Sequence, residues 1–176
     1  MYEIILETEL SILNVLHSIS CSFLDSIFLF ITHLGDKGML WILLGLCLCF
    51  SKGHRKAGLC MLLALIISFI ICNLSLKPLV ARIRPYEYAG NINLLVNKPS
   101  DFSFPSGHSS SSFAAASALW LSNKKWGRVC LVVAGMIAFS RLYLFVHFPS
   151  DVLAGIILGI FSGFMAYKIL TKKQSL

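Results

Sequence analysis

The sequence predicts an all-α fold, a polytopic transmembrane helix bundle of five spans with a possible sixth, preceded by an N-terminal interfacial helix. Three observations carry this. Of the 176 residues, 57% are hydrophobic and only 13% charged, where a soluble domain carries roughly 25% charged residues, and the mean hydropathy is +0.80. Apolar runs of helical length recur along the chain. The polar joints between them alternate, one set rich in lysine and arginine and the other irregular. No internal repeat or low-complexity tail divides the chain, so it reads as one membrane-embedded domain over residues 1–176, with N-terminal interfacial helices over 1–34 and a helical core over 35–170.

The elements follow in order. Met1–Ser20 mixes Glu3, Glu7, Glu9, Asn14 and His17 with Ile, Leu and Val. It lacks the basic start and small-residue cleavage site of a signal peptide, and reads as an amphipathic helix lying in the interface. Phe23–Leu34 is apolar but holds Asp25 and His33 and is shorter than the roughly 20 residues a crossing needs; it is the possible sixth span. Five spans come next, over Gly38–Ser51, Ala57–Leu79, Gly107–Leu121, Trp126–Val146 and Asp151–Leu170. The first spans only by extending to Asp36 or by local thinning of the bilayer.

Three joints are basic: Ser51–Lys56, Asn123–Arg128, and Lys172 with Lys173 after the last span. They fall on one side, which the positive-inside tendency makes cytoplasmic. A multi-pass protein of the cell membrane follows, with Pro78–Pro105 and Phe148–Ser150 on the extracytoplasmic face. The net charge of +7 is thereby read as topogenic, and no nucleic-acid partner is expected. The six cysteines carry no CxxC and no paired spacing, and read as small buried apolar residues. The eight acidic residues share no short motif, so no metal site is expected, and nothing calls for a cofactor.

Some charges on the outer side have no topogenic explanation. Lys77 and Arg84 end one span, Pro105-Ser106-Gly107-His108 begins the next, and Ser140 to Asp151 bridges the last two. Arg141 lies inside a span, where an ionisable side chain is costly and marks function. In a bundle these three pieces meet at one membrane level and supply a phosphate site. Arginine offers a planar fork matched to phosphate oxygens and lysine a point charge, so Lys77, Arg84 and Arg141 neutralise a dianion. Ser106 and the backbone N–H groups of Gly107 and His108 add donors at a helix start. Asp151, in a first helical turn, can accept from one ring nitrogen of His147 and leave the other as nucleophile. His108 is then free to protonate the leaving oxygen and later to activate water.

These residues carry a resemblance. Lys77 to Arg84-Pro85 fits KxxxxxxRP, Pro105 to His108 fits PSGH, and Ser140 to Asp151 fits SRxxxxxHxxxD, and the chain is identified by them as a member of the type 2 phosphatidic acid phosphatase superfamily, over about residues 35–170. The resemblance implies a metal-independent lipid phosphatase with a phosphohistidine intermediate and a site on the outer leaflet. It makes His147 the nucleophile, Asp151 its orienting partner and His108 the acid and base, and places Lys77, Arg84, Ser106, Gly107, His108 and Arg141 around the phosphate. It further implies a lipid phosphate or diphosphate substrate, undecaprenyl diphosphate or else a glycerophospholipid such as phosphatidylglycerophosphate or phosphatidate, with membrane lipids as surroundings and no obligate protein partner.

Outside the motifs the expectations are plain. Arg82 and Lys98 read as snorkelling interfacial cations; His17, His33 and His54 as interfacial histidines; Tyr86, Tyr88, Trp120 and Trp126 as interfacial aromatics. Ser109–Ser112 reads as a stretch that lets helices approach closely. An anion transporter is the alternative of another class, although it leaves His147 and Asp151 without a role. A vanadate-dependent haloperoxidase shares the site residues but is a soluble protein.

Overall fold

The computed structural model describes residues 2–90 and 92–172, and among them it is all helical, with no strand. Helices α1 (Tyr2–Ser18) and α2 (Ser22–Leu34) form a pair bent by 118°. A 3-10 turn at Asp36–Gly38 leads into α3 (Met39–Phe50) and α4 (Arg55–Phe69). A π-helical stretch, Ile70–Leu76, continues into the single turn α5 (Lys77–Val80). After α6 (Pro85–Tyr88) and a long loop come α7 (Gly107–Ser122), α8 (Lys124–Tyr143) and α9 (Pro149–Lys172).

The end of the α4 segment is shaped by two prolines. Pro78 cannot donate to the carbonyl four residues earlier and its ring crowds that carbonyl, and the widened π-helical turn lies directly ahead of it. The helix stops at Ala81, which adopts a left-handed conformation at φ 48°. Arg84 is then extended, as a residue before proline prefers, and Pro85 opens α6. The motif's lysine and arginine are thus set on either side of the left-handed turn at Ala81.

By length and composition, the segments Arg55–Tyr88, Lys124–Tyr143 and Pro149–Lys172 are able to cross a membrane, and the bent α1–α2 pair counts as a fourth if taken as one span. The expected spans at α3 and α7 are helices of 12 and 16 residues, below the roughly 20 a straight crossing needs. Helix α7 has a different place. It packs against α4, α8 and α9, and Ala114, Ala115, Ala116 and Ala118 are fully buried, so it is the centre of the bundle.

Close packing around α7 depends on small residues. Gly155, Gly159 and Gly163 recur every fourth residue along α9, and a Cβ at Gly159 would stand 2.5 Å from the Ser110 carbonyl oxygen. Ser110 also shares a 2.6 Å hydrogen bond with Ser68 of α4, and Trp41 Nε1 of α3 donates to Ser112 Oγ at 2.9 Å. The serine run therefore serves helix association, as small and hydroxyl-bearing residues do in membranes. Gly159→Val is expected to lower stability by about 2 kcal/mol through overpacking, read as a lower unfolding midpoint in detergent; an unchanged midpoint would contradict this packing.

Two further expectations are corrected. Tyr86 is buried, not interfacial, and its hydroxyl donates to the Pro99 carbonyl at 3.2 Å. Helix α1 is more than a surface helix, because Leu13 is fully buried in a cluster with Tyr143, Phe145 and Phe148. The basic joints at 51–55 and 123–128 and Lys172 fall at helix ends opposite those that carry the phosphate motifs; Lys173 lies outside the described residues. All six cysteines are free.

Candidate active site

The C-terminal end of the α4 segment, the first turn of α7, the end of α8 and the loop entering α9 converge on one cavity of about 1280 Å³. Lys77, Arg84, Gly107, His108, Arg141 and His147 all line it, and so do Asp36 and Asp101. Its other wall is apolar, with Ile42 from α3 and Leu62, Leu65, Ile66 and Phe69 from α4.

His147 is 2% exposed. Arg84 Nη1 lies 3.3 Å from its Nε2, and a guanidinium only donates, so Nε2 is the acceptor and the proton of the neutral ring sits on Nδ1. That nitrogen faces Asp151 Oδ2 at 3.6 Å. The hydrogen bond expected between them is not made at this separation, and Nδ1 is a buried donor without a partner. Asp151 Oδ2 instead accepts from Ser103 Oγ at 2.5 Å and from the Phe148 N–H at 2.9 Å. Burial, with Arg84 and Arg141 in support and Asp151 opposing, pushes the His147 imidazolium well below the ordinary histidine range. The ring is neutral at physiological pH, with a lone pair on the cavity side.

The cations are buried and unevenly satisfied. Arg84, 4% exposed, donates from Nη1 to the Val146 carbonyl at 2.7 Å, from Nη2 to Asp101 Oδ1 at 2.6 Å and from Nε to the Asp101 carbonyl at 2.9 Å. Lys77 donates to the Asp101 carboxylate and, at 3.2 Å, to the Phe102 carbonyl. Arg141 donates to Thr32 Oγ1 from α2 and retains a buried Nε with no partner. A buried donor in that state calls for an acceptor. Burial raises Asp101, but Lys77 and Arg84 override it and hold the carboxyl at about 2. This carboxylate occupies two of the three cations that a phosphate would meet.

His108 Nε2 donates to Asp36 Oδ1 at 3.0 Å, and His33 Nδ1 donates to Asp36 Oδ2 at 2.8 Å. Burial raises the Asp36 carboxyl, and these two hydrogen bonds outweigh it and lower the group overall. A Cβ at Gly35 would stand 2.7 Å from His108 Cδ2, so the turn before α3 has to be glycine for the imidazole to fit. Ser106 is placed differently from expectation. Fully buried, it is the N-cap of α7, its Oγ accepting from the Ser109 N–H at 3.4 Å and from Ser109 Oγ at 3.0 Å, so its hydroxyl orders the helix start. The residues that reach the cavity from this turn are Gly107 and His108.

Arg82 overturns the snorkelling expectation. Its side chain is 15% exposed and pairs with Asp151 Oδ1 and Glu9 Oε2, both at 2.6 Å. Sequence reasoning also passed over Asp36, Asp101, Ser103 and Thr32. The one available signal was that Asp101 lies four residues before Pro105 of the second motif, which does not distinguish it from a loop carboxylate; Asp36 is near no motif.

The PAP2 superfamily model matches residues 57–175. The chain belongs to the PAP2 superfamily. Similar proteins include an undecaprenyl-diphosphatase of Sulfolobus acidocaldarius, 31% identical and covering 83% of this chain and 70% of its own. The undecaprenyl-diphosphatase BcrC of Bacillus subtilis is 30% identical, covering 89% of this chain and 81% of its own. Among solved structures, a transmembrane PAP2-type phosphatidylglycerolphosphate phosphatase from Bacillus subtilis superposes with a TM-score of 0.78 at 29% identity, covering 94% of this chain and 86% of that one.

Proposed function

We propose that this membrane lipid phosphatase of the PAP2 superfamily removes the terminal phosphate of a lipid diphosphate, undecaprenyl diphosphate being the favoured substrate, at the outer leaflet. The observation that carries the proposal is one cavity in which two histidines and three buried cations face an apolar wall. A phosphate head fits the cations, and the α3–α4 wall suits a hydrocarbon tail.

The geometry supports the following step. Lys77, Arg84 and Arg141 bind the terminal phosphate in place of the Asp101 carboxylate, and the Arg141 Nε gains its acceptor. Nε2 of His147 attacks phosphorus and a bond forms between them. The bond from phosphorus to the bridging oxygen breaks, and His108, entering the step as the imidazolium that Asp36 and the bound phosphate favour, supplies the proton to that oxygen. Positive charge then builds on the His147 ring, and a small closure toward Asp151 gives Nδ1–H its acceptor. His108, now neutral, takes a proton from water, which attacks the phosphohistidine; the bond from phosphorus to Nε2 breaks, inorganic phosphate leaves, and the His147 ring is neutral and His108 protonated again. The cations stabilise charge spread over the equatorial oxygens throughout.

The outward orientation rests on the basic joints at the far ends of the helices. In this arrangement α3 and α7 complete a bundle of five crossings, shortened where the protein thins the bilayer, with the bent α1–α2 pair beside it. A phosphatidylglycerophosphate substrate is the second reading, favoured by the structural likeness to the Bacillus subtilis phosphatase. Phosphate release from a panel of detergent-solubilised lipid phosphates and diphosphates tests both, with wild type against His147→Ala; no release from any of them would end the reading. Vanadate, a mimic of the five-coordinate transition state, is expected to inhibit, and a chelator is not, since the charge is neutralised by side chains. Strong inhibition by a chelator would count against this mechanism.

A further inference from the structure

Asp151 is fully buried, and its nearest cation is not the His147 ring but Arg82, whose Nη1 donates to Asp151 Oδ1 and to Ser150 Oγ, each at 2.6 Å. A guanidinium so close to the carboxylate that should stabilise a cationic ring is a problem for the mechanism. Alone, Arg82 would cancel the charge of Asp151 and leave nothing for the imidazolium. The structure supplies a second carboxylate from the far end of the chain. Glu9 of α1, 6% exposed, accepts from Arg82 Nη2 at 2.6 Å through Oε2 and from the Ser150 N–H at 2.8 Å through Oε1. Arg82 is further held by the Phe148 ring, 4.0 Å below its Cζ.

We infer that Glu9 and Arg82 are positioning residues for the phosphoryl-transfer step, setting through Asp151 both the orientation of His147 and the net negative charge behind it. The inference rests on His147 being the nucleophile. Asp151, Arg82 and Glu9 sum to one negative charge in a buried site, which is the complement of the one positive charge the ring gains when Nε2 is phosphorylated. The arrangement also fixes geometry. Arg82 and Ser103 clamp opposite oxygens of Asp151, and Glu9 ties the same guanidinium to the first turn of α9. The charged groups facing His147 are Asp151, Arg84 and Arg141, and none of them replaces the charge that Glu9 brings to Arg82. Helix α1 thus belongs to the catalytic apparatus, acting through Arg82.

The decisive measurement is the single-turnover rate of phosphate release by full-length Glu9→Gln in detergent, beside its inhibition by inorganic phosphate, which forms no bond to His147, and its unfolding midpoint. Glutamine keeps the shape and one acceptor but removes the charge. The rate is expected to fall roughly tenfold or more, as losses of partners behind a reacting group do, while the concentration of inorganic phosphate for half inhibition moves by less than about twofold. Arg82→Lys serves as the second variant. It keeps a cation beside Asp151 but cannot bridge both carboxylates, and it is expected to slow the same step with inhibition by inorganic phosphate retained. A rate within about twofold of wild type in both variants, or inhibition by inorganic phosphate weakening in step with the rate as a loosened bundle would produce, overturns the inference. Wild type and His147→Ala are run alongside. A wild type that releases no phosphate defeats the proposed function itself, whereas an active wild type with unaffected variants defeats only the role of Glu9 and Arg82.

Discussion

His147→Ala abolishes hydrolysis, lowering turnover by roughly 10⁴-fold or more, as loss of a nucleophile does in enzymes whose catalytic groups act as a unit. The fold is expected to survive. The ring makes a single polar contact, at 3.3 Å to Arg84 Nη1, and that nitrogen keeps the Val146 carbonyl at 2.7 Å. The substitution removes no charge and leaves no carboxylate unpaired, because Asp151 retains Arg82, Ser103 and the Phe148 N–H. What remains is a small cavity in the cluster around Phe148. Phosphate release and an unfolding curve in detergent check the two halves. Full activity in the variant would remove His147 from the chemistry, and a collapsed unfolding midpoint would make it structural.

Arg141→Lys is the second large effect, a loss of about 10² in rate. Arg141 sits at the end of α8, 5% exposed, with one nitrogen donating to Thr32 and Nε unpartnered. A planar fork anchored at one arm can present its remaining N–H groups to two phosphate oxygens together. Lysine keeps the charge, but its ammonium would be drawn either to Thr32 or to the phosphate, without the fork that binds both. The loss should fall mainly on the chemical step, because equatorial oxygens gain charge in the transition state. Inhibition by vanadate and by inorganic phosphate should both weaken with it, which separates Arg141 from Glu9, whose loss is expected to spare inorganic phosphate. Unchanged kinetics in Arg141→Lys would place this guanidinium outside the phosphate site.

The motif residues were legible because their chemistry contradicts their surroundings. Lysine, arginine and histidine at the ends of apolar runs have no packing explanation, and Arg141 within a span has a high desolvation cost. Five of the six residues expected around the phosphate, Lys77, Arg84, Gly107, His108 and Arg141, line the cavity with His147. Ser106 looked equivalent to its neighbours, but its position as N-cap gives its hydroxyl to the helix start. Arg82, two residues from Arg84 and chemically identical, was assigned to lipid head groups, because residue type alone cannot tell which of two arginines turns inward. The left-handed Ala81 and the extended Arg84 decide that, and neither is written in the hydropathy.

The chain by itself determined that the protein is helical and membrane-embedded, and that Lys77, Arg84 and Arg141 belong with His108 and His147 at the ends of the helices opposite the basic joints. Those properties follow from composition and from period, which are local. Only the tertiary structure decided what holds Asp151. Glu9 is separated from Arg82 by 73 positions and from Ser150 by 141, and a contact across that distance depends on how α1 folds under the turn between α8 and α9. Buried ion pairs form where packing brings opposite charges into the same water-free space, and a linear sequence records the charges without the space.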